Sequence, residues 1–168
     1  FQRLLVQISA SDQRPYHNVV FMWGCGDKID SNAPTAADLE QSHRETCGSL
    51  LHLAQALTHI NNPGRPLLWA VTRGVYAPNE ITSATTLKQA PLWGLARCLT
   101  LEFPHIWAGI IDLDEETAAE HVQNVLTDLW QPDEEDQLVF VQGQRYAARL
   151  ERYTISETTP LHLQSDGV

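Results

Sequence analysis

The chain has 168 residues, of which 43% are hydrophobic, and a formal net charge of −10 from 21 acidic and 11 basic side chains. This size and composition suit one globular domain with its own core. No basic patch is present to neutralise phosphates, so we expect no nucleic-acid partner. No apolar run comes near the roughly 18 residues of a membrane span, so we expect no membrane partner. Residues 1–8 lack a charged leader and a cleavage site, which favours a cytoplasmic location.

The N-terminal half predicts a strand followed by a long helix. Residues 1–17 are expected to be a linker or edge segment. The apolar run Asn18–Trp23, closed by Gly24, is typical of a strand buried on both faces. Apolar residues recur at steps of three and four from Thr35 to Ile60, which predicts an amphipathic helix.

The C-terminal half predicts further alternation of strands and helices. Residues 66–72 and 106–113 are apolar runs that predict two more buried strands. Between them, Pro91 is expected in the first turn of a helix that ends before Pro104. Asp114 is expected to cap the next helix. The inner face of that helix is predicted to consist of Val122, Val125, Leu126 and Leu129.

Two short strands, residues 137–141 and 145–150, are predicted to form a hairpin around Gln142-Gly143-Gln144. The order of elements predicts an α/β fold, with a mostly parallel sheet, helices on both faces and a C-terminal strand pair. We expect the folded domain to span residues 18–152 and residues 153–168 to be a linker.

Ligands of such sheets bind beyond the carboxyl ends of the strands, so functional side chains are expected there. Gly24-Cys25-Gly26-Asp27-Lys28-Ile29 is half of a dinucleotide fingerprint, but isoleucine replaces the third glycine, and a plain turn is favoured. Asp112 and Asp114 could hold magnesium for phosphotransfer, although a helix cap explains the same residues. Cys25, Cys47 and Cys98 have no metal-binding or disulfide spacing; the latter two are expected on apolar helix faces.

The proton-donating pair of short-chain reductases is a Tyr followed four residues later by a Lys, and none of the 4 tyrosines has it. The residues four positions after the tyrosines are Val20, Glu80, Leu150 and Glu157. Trp23, Trp69 and Trp93 are expected in core-facing elements rather than in a ligand platform.

Several motifs in a fixed order resemble the structural half of a modular type I polyketide synthase ketoreductase. They are Leu68-Trp69-Ala70-Val71-Thr72-Arg73-Gly74, Ala90-Pro91-Leu92-Trp93-Gly94-Leu95-Ala96-Arg97, Leu101-Glu102-Phe103-Pro104, Ile111-Asp112-Leu113-Asp114 and Arg145-Tyr146-Ala147-Ala148-Arg149-Leu150. In that family the first, truncated Rossmann-like half binds no cofactor and supports the second. The second half carries the glycine-rich loop, NADPH and the catalytic Ser, Tyr and Lys.

The resemblance therefore implies a non-catalytic subdomain with no catalytic, cofactor-binding or metal residues of its own. It supports a half that reduces a β-ketoacyl thioester on acyl carrier protein with NADPH. The same sequence fits a pseudo-ketoreductase that organises neighbouring domains such as a methyltransferase or an enoylreductase. The alternatives are a free-standing acidic α/β domain with magnesium-dependent phosphotransfer at Asp112 and Asp114, and a half-site that contacts the cofactor directly. The terminal hairpin is expected to contact the catalytic half, because a bare sheet edge invites pairing.

Overall fold

The computed structural model describes residues 1–11, 16–25, 34–60, 64, 66–76, 84–114 and 119–152. Within these ranges the helices are α1 (Gln2–Ser11), α2 (Ala36–Thr58), α3 (Ala84–Glu102) and α4 (Ala119–Trp130). The strands are β1 (Asn18–Phe21), β2 (Leu67–Arg73), β3 (Trp107–Leu113), β4 (Gln137–Val141) and β5 (Gln144–Ala147). A short 3-10 turn covers Trp23–Cys25. The predicted linker at 153–168 lies outside the described residues.

The sheet has five strands in the order β1-β2-β3-β4-β5. The first three pairings are parallel, and β5 runs antiparallel to β4. Gln142 and Gly143 join the last two strands with positive φ angles of 48° and 76°, as a two-residue hairpin turn of type I′ requires. The predicted sheet and its C-terminal strand pair are confirmed, although β5 ends at Ala147 rather than Leu150.

Helices cover both faces of the sheet, as predicted. On one face, α2 and α3 pack on β1, β2 and β3, and Leu5 of α1 joins this α2/α3 core. On the other face, Val125 and Leu129 of α4 pack on Trp69, Ile111 and Leu138, which forms the α4 core. Alternate residues of β2 and β3 enter the two cores, because successive side chains of a strand point to opposite faces. None of the helices in the described part of the chain combines the length and the hydrophobicity of a membrane span.

Helix α3 begins at Ala84, so the prediction that Pro91 lies in its first turn is wrong. A proline inside a helix has no N–H for the carbonyl four residues earlier, and that carbonyl is left without its usual donor. Here the carbonyl belongs to Leu87, and Nε2 of His43 on α2 donates to it at 3.0 Å. A neighbouring helix thus supplies the bond that proline removes.

This compensation predicts that His43→Ala lowers the free energy of unfolding by about 1 kcal/mol. In a Pro91→Ala background, residue 91 regains an N–H that can bond to Leu87, so His43→Ala should then cost less. Urea unfolding of the two single variants and the double variant measures this coupling. Equal costs of His43→Ala in both backgrounds would contradict the account.

Several predicted burial assignments are corrected by the structure. In α4, Val125 and Leu129 are buried, whereas Val122 and Leu126 are exposed. The apolar arc of this helix is wider than the sheet can cover, and periodicity alone does not say which part faces inward.

Trp23 is exposed because β1 ends at Phe21 and the strand alternation stops there. Cys98, expected on an apolar face, is exposed on α3. Residues 2–11, not expected to be helical, form α1.

Candidate functional site

The carboxyl ends of β1, β2 and β3 meet at one edge of the sheet, where the sequence placed its candidate site. At the end of β1, Gly24 lies directly beneath α3. A Cβ atom at this position would lie 3.2 Å from Leu92 and 3.3 Å from the amide oxygen of Gln89. Close packing of a helix therefore explains the first glycine of the half fingerprint. Residues 26–29 of that motif lie outside the described residues.

Cys25 follows, and its thiol donates to the carbonyl oxygen of Val71 at 3.1 Å. Burial raises the pKa of Cys25 to about 11, because desolvation disfavours the thiolate more than the nearby Arg73 charge stabilises it. A thiol held in this protonated state is a poor nucleophile and a poor metal ligand. Cys25 therefore has a packing role at this strand end.

The end of β2 is held by the fully buried side chain of Gln89 from α3. Its amide oxygen accepts from the backbone N–H of Arg73 at 2.9 Å, and its amide nitrogen donates to the Arg73 carbonyl at 3.1 Å. The next residue after Arg73, Gly74, accepts through its carbonyl from the hydroxyl of Thr86 at 2.9 Å. Side chains from the first turns of α3 thus form hydrogen bonds with the backbone of Arg73 and Gly74, the groups that a ligand at this strand end would need.

Asp112, at the end of β3, accepts three hydrogen bonds from the end of β2 and the loop after it. The donors are the hydroxyl of Thr72 at 2.7 Å and the backbone N–H groups of Val75 at 2.9 Å and Tyr76 at 2.8 Å. Burial raises the pKa of Asp112, and these three hydrogen bonds oppose the shift. The carboxylate ties the loop after β2 to β3.

Trp93 and Tyr76 form an aromatic pair next to Thr72. Nε1 of Trp93 donates to the Thr72 hydroxyl at 3.1 Å, which extends the network from Asp112 into α3. The Tyr76 ring packs edge-on against Trp93 with centroids 4.5 Å apart. This geometry adds favourable aromatic contact to burial. Trp93 is buried in the α2/α3 core, whereas Tyr76 is 46% exposed at its edge.

Asp114 has a different hydrogen-bond partner from Asp112. Its Oδ2 accepts from the backbone N–H of Gln142 at 2.7 Å and so holds the β4–β5 turn. Within the described part of the chain, no group of three or more His, Cys, Asp or Glu side chains is arranged to hold a metal ion. The neighbouring residues 115–118 lie outside the described ranges. The structure gives the magnesium hypothesis at Asp112 and Asp114 no support.

Comparison with known families identifies the fold. Residues 5–150 match the family model described as the Rossmann fold domain of the polyketide synthase extender module SpnB. The chain belongs to this family. Its resemblance to the ketoreductase region of polyketide synthases, carried by the motifs from Leu68 to Leu150, is therefore confirmed. Motif reasoning does not find Gln89 as an anchor of β2, since a glutamine between Lys88 and Ala90 gives no periodic signal.

The proteins that this Rossmann domain is similar to are much longer than the chain. A phenolphthiocerol/phthiocerol polyketide synthase chain of Mycobacterium tuberculosis is 43% identical over 103 residues, which are 61% of this chain and 7% of that protein. A C2-type ketoreductase from a modular polyketide synthase superposes with a TM-score of 0.73 at 25% identity, covering 95% of this chain and 32% of that one. An A-type ketoreductase superposes with a TM-score of 0.63 at 28% identity, covering 87% and 29%. The chain thus spans about a third of these ketoreductases.

Proposed function

We propose that this chain is the non-catalytic structural half of a polyketide synthase ketoreductase. It supports a second half that binds NADPH and reduces a β-ketoacyl thioester carried on acyl carrier protein. The observation that carries the proposal is that the chain's own side chains bond to the end of β2. Gln89 bonds to both backbone groups of Arg73, and Asp112 accepts from Thr72, Val75 and Tyr76, at a strand end beyond which a Rossmann sheet would receive a dinucleotide.

The topology supports the same conclusion. Dinucleotides bind at the point where the strand order of a doubly wound sheet reverses, because the flanking loops open a crevice there. The five described strands follow one another without a reversal, so this part of the chain forms no such crevice. The sequence adds that no tyrosine is followed four residues later by a lysine.

NADPH binding to the isolated chain tests the proposal. A binding protein given NADPH at about 100 times its dissociation constant gains about 2.7 kcal/mol, which raises the melting temperature of a domain this size by several degrees. We expect no shift for this chain and a clear shift for an intact ketoreductase measured in parallel. A saturable shift of this chain would overturn the proposal and favour a half-site that contacts the cofactor.

The proposal has two forms, which differ in what the parent polypeptide carries elsewhere. If a glycine-rich loop and a Tyr-x-x-x-Lys motif follow, the chain is half of an active ketoreductase. If they do not, it is a pseudo-ketoreductase whose partners are neighbouring synthase domains such as a methyltransferase. Determining the parent sequence separates the two forms.

A further inference from the structure

Helix α4 carries an apolar stripe that the sheet does not cover. Val122, Leu126 and Trp130 follow one another at intervals of four residues, so they lie on one side of the helix. Their exposed fractions are 48%, 38% and 69%, whereas Val125 and Leu129 are buried beneath them. An aligned stripe of large apolar side chains is unlike the isolated exposed residues of an ordinary surface.

Two contacts fix which flank of α4 carries the stripe. Asp128 forms an ion pair with Arg145 of β5 at 2.9 Å, so one flank faces the β5 edge. Each residue turns an α-helix by about 100°, which puts Leu126 and Trp130 roughly opposite Asp128. Nδ2 of Asn18 on β1 donates to the Leu129 carbonyl at 2.9 Å, so the C-terminal turn of α4 lies beside the start of β1. The stripe therefore faces the β1 edge of the sheet.

Edge strand β1 continues the apolar surface. Val20 pairs with Trp69, so both side chains lie on the sheet face that α4 covers. Trp69 is fully buried there, but Val20 is 37% exposed. Asn18 lies two residues earlier on the same face, which places Val20 about one helical turn along from the Leu129 contact. Val20, Val122, Leu126 and Trp130 together form what we call the α4/β1 strip.

The occupant of the strip follows from size and charge. The chain corresponds to 32% of a solved ketoreductase, so two thirds of such a protein remains to cover its surfaces. A second copy is disfavoured, because each copy carries a net charge of −10. The excess of acidic side chains in this chain favours a basic rim on the partner.

Resting on the proposed function, we propose that the α4/β1 strip is the docking surface for the catalytic half of the ketoreductase, which meets it with an apolar patch rimmed by Lys or Arg. Trp130 is the largest anchor of the strip, since exposed tryptophans that become buried dominate interface energies. The predicted hairpin contact at β5 lies at the opposite edge of the sheet and is a separate surface.

The test is binding of this chain to the catalytic half from its own synthase, measured by titration calorimetry. We expect the double variant Leu126→Glu/Trp130→Glu to bind about tenfold or more weakly than the wild type. Leu101→Glu is the matched control, because Leu101 is 81% exposed on α3, which packs on the opposite face of the sheet. It should bind like the wild type. Circular dichroism and melting temperature verify that all three proteins fold alike.

Other outcomes separate this proposal from the proposed function. Unchanged affinity of the double variant would overturn the strip as the docking surface but would not contradict the proposed structural role of the chain. Loss of binding by Tyr146→Glu alone would assign the contact to the hairpin. No binding by the wild type would overturn both proposals. A wild-type dimer that the double variant disperses in sedimentation would also overturn the strip proposal, because a second copy would then be its occupant.

Discussion

Replacing Asp112 with alanine is expected to lower the free energy of unfolding by about 2–4 kcal/mol. The substitution removes the common acceptor of the Thr72 hydroxyl and of the Val75 and Tyr76 N–H groups. Buried or partly buried donors without an acceptor cost more than the bond itself contributes. The loop after β2 also loses its tie to β3. Urea unfolding monitored by tryptophan fluorescence measures the change.

Asp112→Asn is the informative control. Its amide oxygen can accept from the two backbone N–H groups, and its NH₂ group can donate to Thr72, whose hydroxyl also accepts. Asp112→Asn should therefore lower the free energy of unfolding by less than half as much as Asp112→Ala does. Asp112→Asn also abolishes any magnesium chemistry at this carboxylate, so an equal loss for both variants would show that the negative charge itself is needed and would contradict the hydrogen-bond account.

Gly109→Ala is the second substitution with a large expected effect, a loss of about 2–4 kcal/mol. Gly109 lies where β3 shifts register against β2, and a Cβ atom there would lie 2.7 Å from the Asp136 carbonyl oxygen and 3.0 Å from the Trp69 ring. Asp136 also accepts from the N–H of Ile110 at 2.8 Å, so β3 cannot move away without breaking the link to β4. Calorimetric melting of the variant provides the measurement.

The same chain offers glycines with room around them as controls. A Cβ atom at Gly48 of α2 or Gly94 of α3 would meet nothing within 4 Å. Alanine in a helix interior is favoured over glycine by roughly 0.5–1 kcal/mol, so both substitutions should raise stability slightly. An equal melting temperature for Gly109→Ala and these controls would contradict the account that the close approach of β3, β4 and Trp69 requires glycine at position 109.

The sheet could be predicted from the sequence because its strands are nearly continuous apolar runs. Residues 66–72 and 106–113 correspond closely to β2 and β3, since a strand buried on both faces leaves no polar interruption. The start of α3 could not be predicted in this way. The penalty of Pro91 in a helix interior is local, whereas the His43 donor that offsets it lies 44 residues before Leu87.

The candidate site could be predicted only in its position. Strand order brings Asp112 and Thr72 to one edge, as expected from parallel pairing. The Thr72 hydroxyl bonds to Asp112 and also accepts from Trp93 of α3, and Asp112 bonds to the loop after β2. No sequence motif encodes these contacts. The orientation of α4 escapes prediction for a similar reason. Only the contacts with Arg145 and Asn18 decide which part of its wide apolar arc faces the sheet.

The strand order has a consequence for how this domain is made. The five described strands lie side by side in the order of their synthesis, so each new strand pairs with the one made just before it. No described strand has to be inserted between two earlier ones, and each pairing closes only the segment between two consecutive strands, which is longest, at residues 22–66, between β1 and β2. The sheet can therefore grow strand by strand as the chain leaves the ribosome. In long proteins such as the relatives of this chain, such growth limits the time for which an unpaired apolar edge can pair with a foreign strand.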